Sequence, residues 1–384
     1  MGKVIDLHPR DSARRVRRRP SKTALVLGGG GFTGGVYQIG ALRALDLLAA
    51  NRSVNDFDVY VGTSAGAFVA ALAANGVTPA EMMRVVDGRE PTPFRRVGGG
   101  TLLRPNWLGL ARRGVTLPLT ALRALHSVAG RLGQVSAMDV VLALADGLPS
   151  GLYSGSGIEG YLREVLGEEG RSDDFRAMRR TLFVCATDLD TCERIVFGAP
   201  GWDDVPVSRA VRASTAMPMV YEPVRIRDRE LVDGGIVSTT NIDLAVEAGA
   251  RFIVVVNPLV PYVNDFGKSV TTLGGRRPRH VSDMGFPKIG YQAFRLLAYQ
   301  RLHEMATHWR ERYPGVDIVL IEPEPDDELM FETSIMDFAS RVRIARHGFE
   351  SVTRRLAGDY DTWHEICARH GIRISAARVR EAAE

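Results

Sequence analysis

Residues 57–75 read FDVYVGTSAGAFVAALAAN. The first five, FDVYV, form a short strand-like run, and the Ala-rich stretch 67–75 continues at helical composition until Gly76 stops it. Between them stands Gly62-Thr63-Ser64-Ala65-Gly66, a G-x-S-x-G pentapeptide. Its logic is steric. A serine on a tight strand-to-helix turn is pushed above the sheet, and Gly62 and Gly66 remove side chains that would collide there. The turn also aims the N-terminus of the next helix at the serine. A strand before the pentapeptide and a helix after it are the context this motif requires, so Ser64 is the candidate nucleophile.

The same strand–loop–helix pattern occurs just upstream. TALVL (23–27) stops abruptly at Gly28-Gly29-Gly30-Gly31-Phe32-Thr33-Gly34-Gly35, and VYQIGALRALDLLAA (36–50) follows at helical spacing. Two such units within about sixty residues predict an α/β fold with a mainly parallel central sheet sandwiched by helices. From 90 to 157 Pro, Gly and Arg punctuate apolar segments, which predicts a helical insertion. Within it Leu102, Trp107, Leu108 and Leu110 lie near Arg104, Arg112 and Arg113, a composition suited to a lid or an interfacial patch, or to ordinary core helices. Ser156 and Glu159 read as a capping box opening the next helix. Strands are expected at 181–187 and 193–197 as a hairpin, then at 222–226, 252–256 and 317–321. Helices are expected at 207–214, from about 287 to 312, and near 335–356, giving a helical C-terminal portion. The domain reading is a basic tail (1–22), an α/β core (23–258), and a segment (259–384) that completes the same domain.

The glycine loop exposes backbone N–H groups at a strand's carboxyl end, which suits a phosphate or an oxyanion. Gly29-x-Gly31-x-x-Gly34 also satisfies a dinucleotide fingerprint, but that fold wants an acidic residue at the end of the second strand, where this chain has GTSAG. A serine nucleophile needs a base. His280 is the histidine that completes a Ser–Asp–His order. Asp233, in the turn Asp233-Gly234-Gly235, is the other candidate, although Asp-Gly turns are common for structural reasons alone.

Taken together, the GGGxxG loop, GTSAG and the late DGG resemble the patatin-like phospholipases. The stretches FVCATDLDTCERIVF (183–197) and SRAVRASTAMPMVYEPVRI (208–226) resemble the same family, and the resemblance spans about residues 24–258. It implies a Ser–Asp dyad without histidine, in which Ser64 attacks an ester carbonyl and Asp233 accepts its proton. It also implies an oxyanion hole at Gly29, Gly30, Gly31 and Gly34. Thr33 stands where the family's loop usually carries Arg or Lys, and Asn241-Ile242-Asp243 replaces its Asn-x-Pro. A dyad of this kind predicts hydrolysis that persists into mildly acidic solution, where an imidazole base would be protonated. Two alternatives stand beside it: a Ser–Asp–His esterase using His280, and a non-catalytic lipid- or nucleotide-binding protein that keeps the fold.

The chain has 384 residues and a formal net charge of +4. Residues 1–22 hold eight Lys and Arg against two Asp, so the remaining chain nets −2. The basicity is therefore a tail, a candidate electrostatic tether to anionic lipid or a solvated leader, and no nucleic-acid partner is expected. The tail lacks the apolar stretch of a signal peptide, and no run is long enough to span a membrane. Cys185, Cys192 and Cys367 are too scattered for a disulfide framework or a zinc site, so the expected setting is cytoplasmic, at most peripheral to a membrane. No metal or cofactor is expected, and the expected partner is a lipid or membrane-surface substrate.

Overall fold

A computed structural model of the chain describes residues 21–88, 98, 100, 103–107, 111, 149–263, 280–333 and 336–378. The basic tail up to residue 20 lies outside the described residues, as do Leu102, Leu108, Leu110, Arg112 and Arg113 of the expected insertion.

The chain opens with β1 (Thr23–Leu27), α1 (Gly31–Leu48), β2 (Val59–Thr63), α2 (Ala65–Ala74) and α3 (Pro79–Asp87). It continues with β3 (Gly151–Tyr153), α4 (Ser156–Leu166), β4 (Thr181–Asp188), β5 (Arg194–Phe197) and α5 (Val207–Ser214). Then come β6 (Met219–Tyr221), β7 (Val224–Ile226), β8 (Arg229–Asp233), α6 (Ile242–Glu247) and β9 (Phe252–Val256). The last part holds α7 (Phe286–Thr307), α8 (Trp309–Arg312), β10 (Asp317–Ile321), α9 (Glu328–Glu332), α10 (Arg341–Gly358) and α11 (Tyr360–Arg369).

The main sheet runs β10-β9-β1-β2-β4-β8-β7, with β5 also paired to β4, while β3 and β6 form a separate two-stranded sheet. Pairings from β10 to β4 are parallel, and those of β4 with β5, β4 with β8 and β8 with β7 are antiparallel. Strands β1, β2, β9 and β10 are buried along their whole length. That is why they read as continuous apolar runs rather than as alternation: helices cover both faces. Successive residues still point to opposite sides. Leu25, Leu27, Tyr60, Val254 and Val319 enter the core beneath α1, α2 and α10. Ala24, Val26, Val61, Ile253 and Ile318 enter the second core, under α6 and the end of α7.

Helix α1 lies against the sheet on one side and crosses α10 on the other, so nearly every residue of it is buried. The crossing is close. A β-carbon at Gly40 would stand 2.1 Å from the carbonyl oxygen of Ala345, and one at Gly348 would stand 2.4 Å from that of Tyr37.

The expected α/β class is borne out, with local differences. The hairpin and the helix at 207–214 form where expected. Arg229–Asp233, outside the expected strands, forms β8, because antiparallel pairing with β4 outweighs its polarity. The expected helix over 287–312 breaks at His308 into α7 and α8. Helix α11 and the short strands β3 and β6 were not anticipated. Ser156 does not cap α4: Gly155 occupies the cap in a left-handed conformation, and Glu159 instead accepts from Arg163 and Arg212.

Candidate active site

Strands β1 and β2 are neighbours, so their two turns open side by side at the carboxyl edge of the sheet. At the end of β2, Ser64 adopts φ 56°, ψ −128°, a conformation that non-glycine residues rarely take and that strains the backbone there. Both glycines of the pentapeptide are required by what surrounds them. A β-carbon at Gly66 would lie 2.2 Å from the carbonyl oxygen of Leu27, and one at Gly62 would lie 2.4 Å from Cα of Ala67.

Sequence reasoning missed the residue that holds this turn. Ser214, at the end of α5 and fully buried, accepts the N–H of Ser64 at 2.9 Å and donates to the Cys185 carbonyl at 2.6 Å. Nothing in the local sequence singles out Ser214. Its partners are 150 and 29 residues away in the chain.

Asp233 reaches Ser64 across the sheet. Thr63 is in register with Cys185 of β4, and the next residue of β4, Ala186, is in register with Asp233. Ser64 Oγ donates to Asp233 Oδ2 at 2.5 Å, and Gly235 N–H donates to Oδ1 at 2.7 Å. Gly234 is needed because a β-carbon would stand 2.2 Å from the Cys185 carbonyl oxygen. Burial pushes the Asp233 carboxyl up to about 6, against the opposing pull of those two hydrogen bonds. The turn after it is tied back to β2, since Asn241 Nδ2 donates to Thr63 Oγ1, and Arg194 bridges Asn241 and Asp243.

The glycine loop faces the same point. Gly29 approaches Ser64 so closely that a β-carbon on it would lie 3.4 Å from that of the serine. Gly30 has φ 156°, and Gly30 and Gly34 both pack on Pro258, where a β-carbon would come within 2.9 Å. The loop is anchored by Gly28 N–H donating to Val256 and by the buried Gln38 amide donating to the Gly28 carbonyl. Among the described residues, none accepts from the N–H groups of Gly29, Gly30 or Gly31. These amides head the 18-residue helix α1, whose dipole favours negative charge there. Thr33 is buried within the first turn of α1.

From Ser64 a cleft runs between α1, α2, α3 and α4, enclosing about 1050 Å³ when the space open at its mouth is included. Phe32, Phe68, Met82, Met217, Tyr221 and Phe338 are among its walls, and nearly all the lining is apolar. The Phe32 and Phe338 rings meet at 5.3 Å, and Phe68 stacks on Tyr161 at 5.8 Å.

His280 is exposed and heads a short 3-10 turn at Val281–Met284. His303, His347 and His370 pair with Glu322, Asp327 and Asp317, none of which is Asp233. Trp107 is 73% exposed. Among the described residues no group of three or more His, Cys, Asp or Glu is placed to hold a metal ion, and no helix is long and apolar enough to cross a membrane.

The arrangement is that of α/β proteins with a serine raised on a strand-to-helix elbow beside a glycine loop. Residues 25–246 match the family model for patatin-like phospholipase, and the chain belongs to that family. It is 28% identical over 222 residues to YqhO of Bacillus subtilis, covering 54% of this chain and 64% of that protein. It is 23% identical over 229 residues to a probable lipid hydrolase, 463L, of Invertebrate iridescent virus 6, covering 58% of this chain and 63% of the viral protein. The chain thus spans somewhat less than two thirds of these relatives' own lengths. Among solved structures, VipD from Legionella pneumophila is similar with a TM-score of 0.40 and 17% identity, covering 88% of this chain and 67% of that one.

Proposed function

We propose that the chain is a serine-dependent lipid acyl hydrolase that cleaves carboxylic esters of phospholipids or related lipids. The observation that carries this reading is the Ser64–Asp233 hydrogen bond at the mouth of an apolar cleft. Ser64 Oγ attacks the ester carbonyl carbon while its proton passes to Asp233 Oδ2. The carbonyl oxygen becomes an oxyanion and takes hydrogen bonds from the N–H groups of Gly29, Gly30 and Gly31; Gly34, also expected as a donor, instead gives its N–H to the Gly30 carbonyl at 3.0 Å and keeps the loop close-packed. As the intermediate collapses, the ester C–O bond breaks and the leaving alcohol takes the proton from Asp233. Water then gives a proton to Asp233 and attacks the acyl-Ser64 carbonyl; as the Oγ–acyl bond breaks, Asp233 returns that proton to Ser64 Oγ and the carboxylic acid leaves.

The burial of Asp233 changes one expectation. With its carboxyl at about 6, the acid limb of activity falls in the range of an imidazole, so a pH profile alone does not separate a dyad from a triad. Substitution does. Release of p-nitrophenol from acyl esters, and of fatty acid from mixed phospholipid vesicles, is expected to fall by roughly a thousandfold or more in Ser64→Ala and Asp233→Asn and to stay near wild type in His280→Ala. Equal damage from His280→Ala would replace the dyad with a triad. Failure of a fluorophosphonate probe to label Ser64 would leave a lipid-binding protein without catalysis. The proposed place of action is the cytoplasmic side of a lipid surface, with the basic tail as its tether.

A further inference from the structure

Away from Ser64, the cleft is lined among the described residues by buried side chains. Helix α2 starts at the serine, and Phe68, Val69 and Leu72 on one of its faces line the cleft in turn. Ile39 of α1, Val77 just before α3, and Met82 of α3 also line it, and Ile39, Leu72, Val77 and Met82 are all buried, with exposures of 7%, 5%, 1% and 3%. Val77 is pinned beneath Leu72 by its N–H bond to the Leu72 carbonyl at 3.0 Å. One side wall is fastened as well, because Arg341 Nε donates to the carbonyl of Val86, the cleft-lining residue near the end of α3.

Leu72 stands seven positions along α2 from Ala65, the residue after the serine, so the floor lies about 10 Å along the helix from the serine turn at about 1.5 Å per residue. An extended acyl chain advances about 1.3 Å per carbon, given C–C bonds of about 1.5 Å. We propose that the site selects esters of medium-chain acids, of about eight to ten carbons, and that Leu72, Val77 and Met82 set this limit. The inference rests on the hydrolase reading above and adds to it the acyl class of the substrate. A longer chain would meet packed side chains, and interiors at this density yield only at a cost in strain.

The test is kcat/KM over p-nitrophenyl esters whose acyl chains run from acetyl to stearoyl. Each methylene that enters the cleft is worth about fourfold, so the constant is expected to climb steeply to octanoyl or decanoyl and then fall. Met82→Ala, which opens the floor, moves the maximum toward longer chains. Leu72→Phe, which raises it, moves the maximum toward shorter ones and reports on the same limit should Met82→Ala be unstable. A maximum that stays at palmitoyl or stearoyl, or is unmoved by both substitutions, overturns the proposed floor while leaving the hydrolase intact. Absence of turnover with every ester strikes at the hydrolase reading instead. The floor is then read from Ser64→Ala by displacement of a fluorescent fatty acid: affinity that stops rising at the same chain length supports the floor, and affinity that rises through stearate overturns it.

Discussion

Asp233 is held by a neutral hydroxyl and one backbone amide, and that choice of partners sets its chemistry. A carboxyl at about 6 instead of about 3.9 costs about 3 kcal/mol to ionise in the fold. The folded state here binds its proton more tightly than the unfolded chain does. Stability from this residue is therefore full below about pH 4, falls as pH rises through about 6, and levels off above. Asp233→Asn keeps the shape and the bond from Gly235 N–H to Oδ1, and its Nδ2 donates to Ser64 Oγ where the carboxylate accepted, all without the charge. It is expected to abolish turnover yet be more stable than wild type by about 2–3 kcal/mol at pH 8, with the gain vanishing near pH 4. Urea unfolding at the two pH values reads this directly, and a gain independent of pH would contradict the burial of an ionised Asp233. In wild type the rate should rise to a plateau through about pH 6. Ser64 and Asp233 were legible in the sequence because short motifs mark them. Ser214 was not, because its role comes from two partners that only the fold delivers.

Among the elements, β10 shows how a strand is fastened from outside the sheet. Asp317 at its start accepts from Arg369 Nε and Nη2 at 3.0 Å each and pairs with His370 at 2.6 Å, so the end of α11 is clamped to the sheet edge. Burial alone would push the Asp317 carboxyl up, but the hydrogen bonds from His370 and Arg369 outweigh it and hold it at about 2. An acid lowered in the fold stabilises above its unfolded value and loses that contribution as pH falls from about 4 toward about 2. Asp317→Asn is therefore expected to lose about 2 kcal/mol at pH 7, and much less near pH 2. Chemical denaturation of both proteins across that range checks it. The elements themselves were mostly legible in composition. Continuous apolar strands announced a sheet covered on both faces, whereas β8 was hidden because its polar residues are paid for by pairing with β4.

At the scale of the molecule, the family match ends at residue 246, but the fold does not. Strand β10 covers the edge of β9, and α10 lies on α1 through the close approach of Gly40 and Gly348. Removing residues 259–384 would uncover the outer face of α1 and leave β9 as a bare edge. We propose that 23–258 and 259–384 form one domain. A chain ending at residue 258 is expected to lack the cooperative unfolding transition of the full chain, as followed by circular dichroism during heating. A truncated chain that melts as sharply as the whole would establish two domains.

By itself the sequence determined the α/β class, the strand-to-helix serine turn, the glycine loop and the DGG turn. These depend on local sterics and on the period of apolar residues, which a short window carries. Tertiary structure alone decided how Ser64 meets Asp233, since 169 residues of chain separate them and only the registers of β2 with β4 and of β4 with β8 close the gap. It also decided the height of Asp233's pKa and the depth of the cleft. Both are properties of what packs around a group, and packing joins residues whose places in the chain say nothing about their contact.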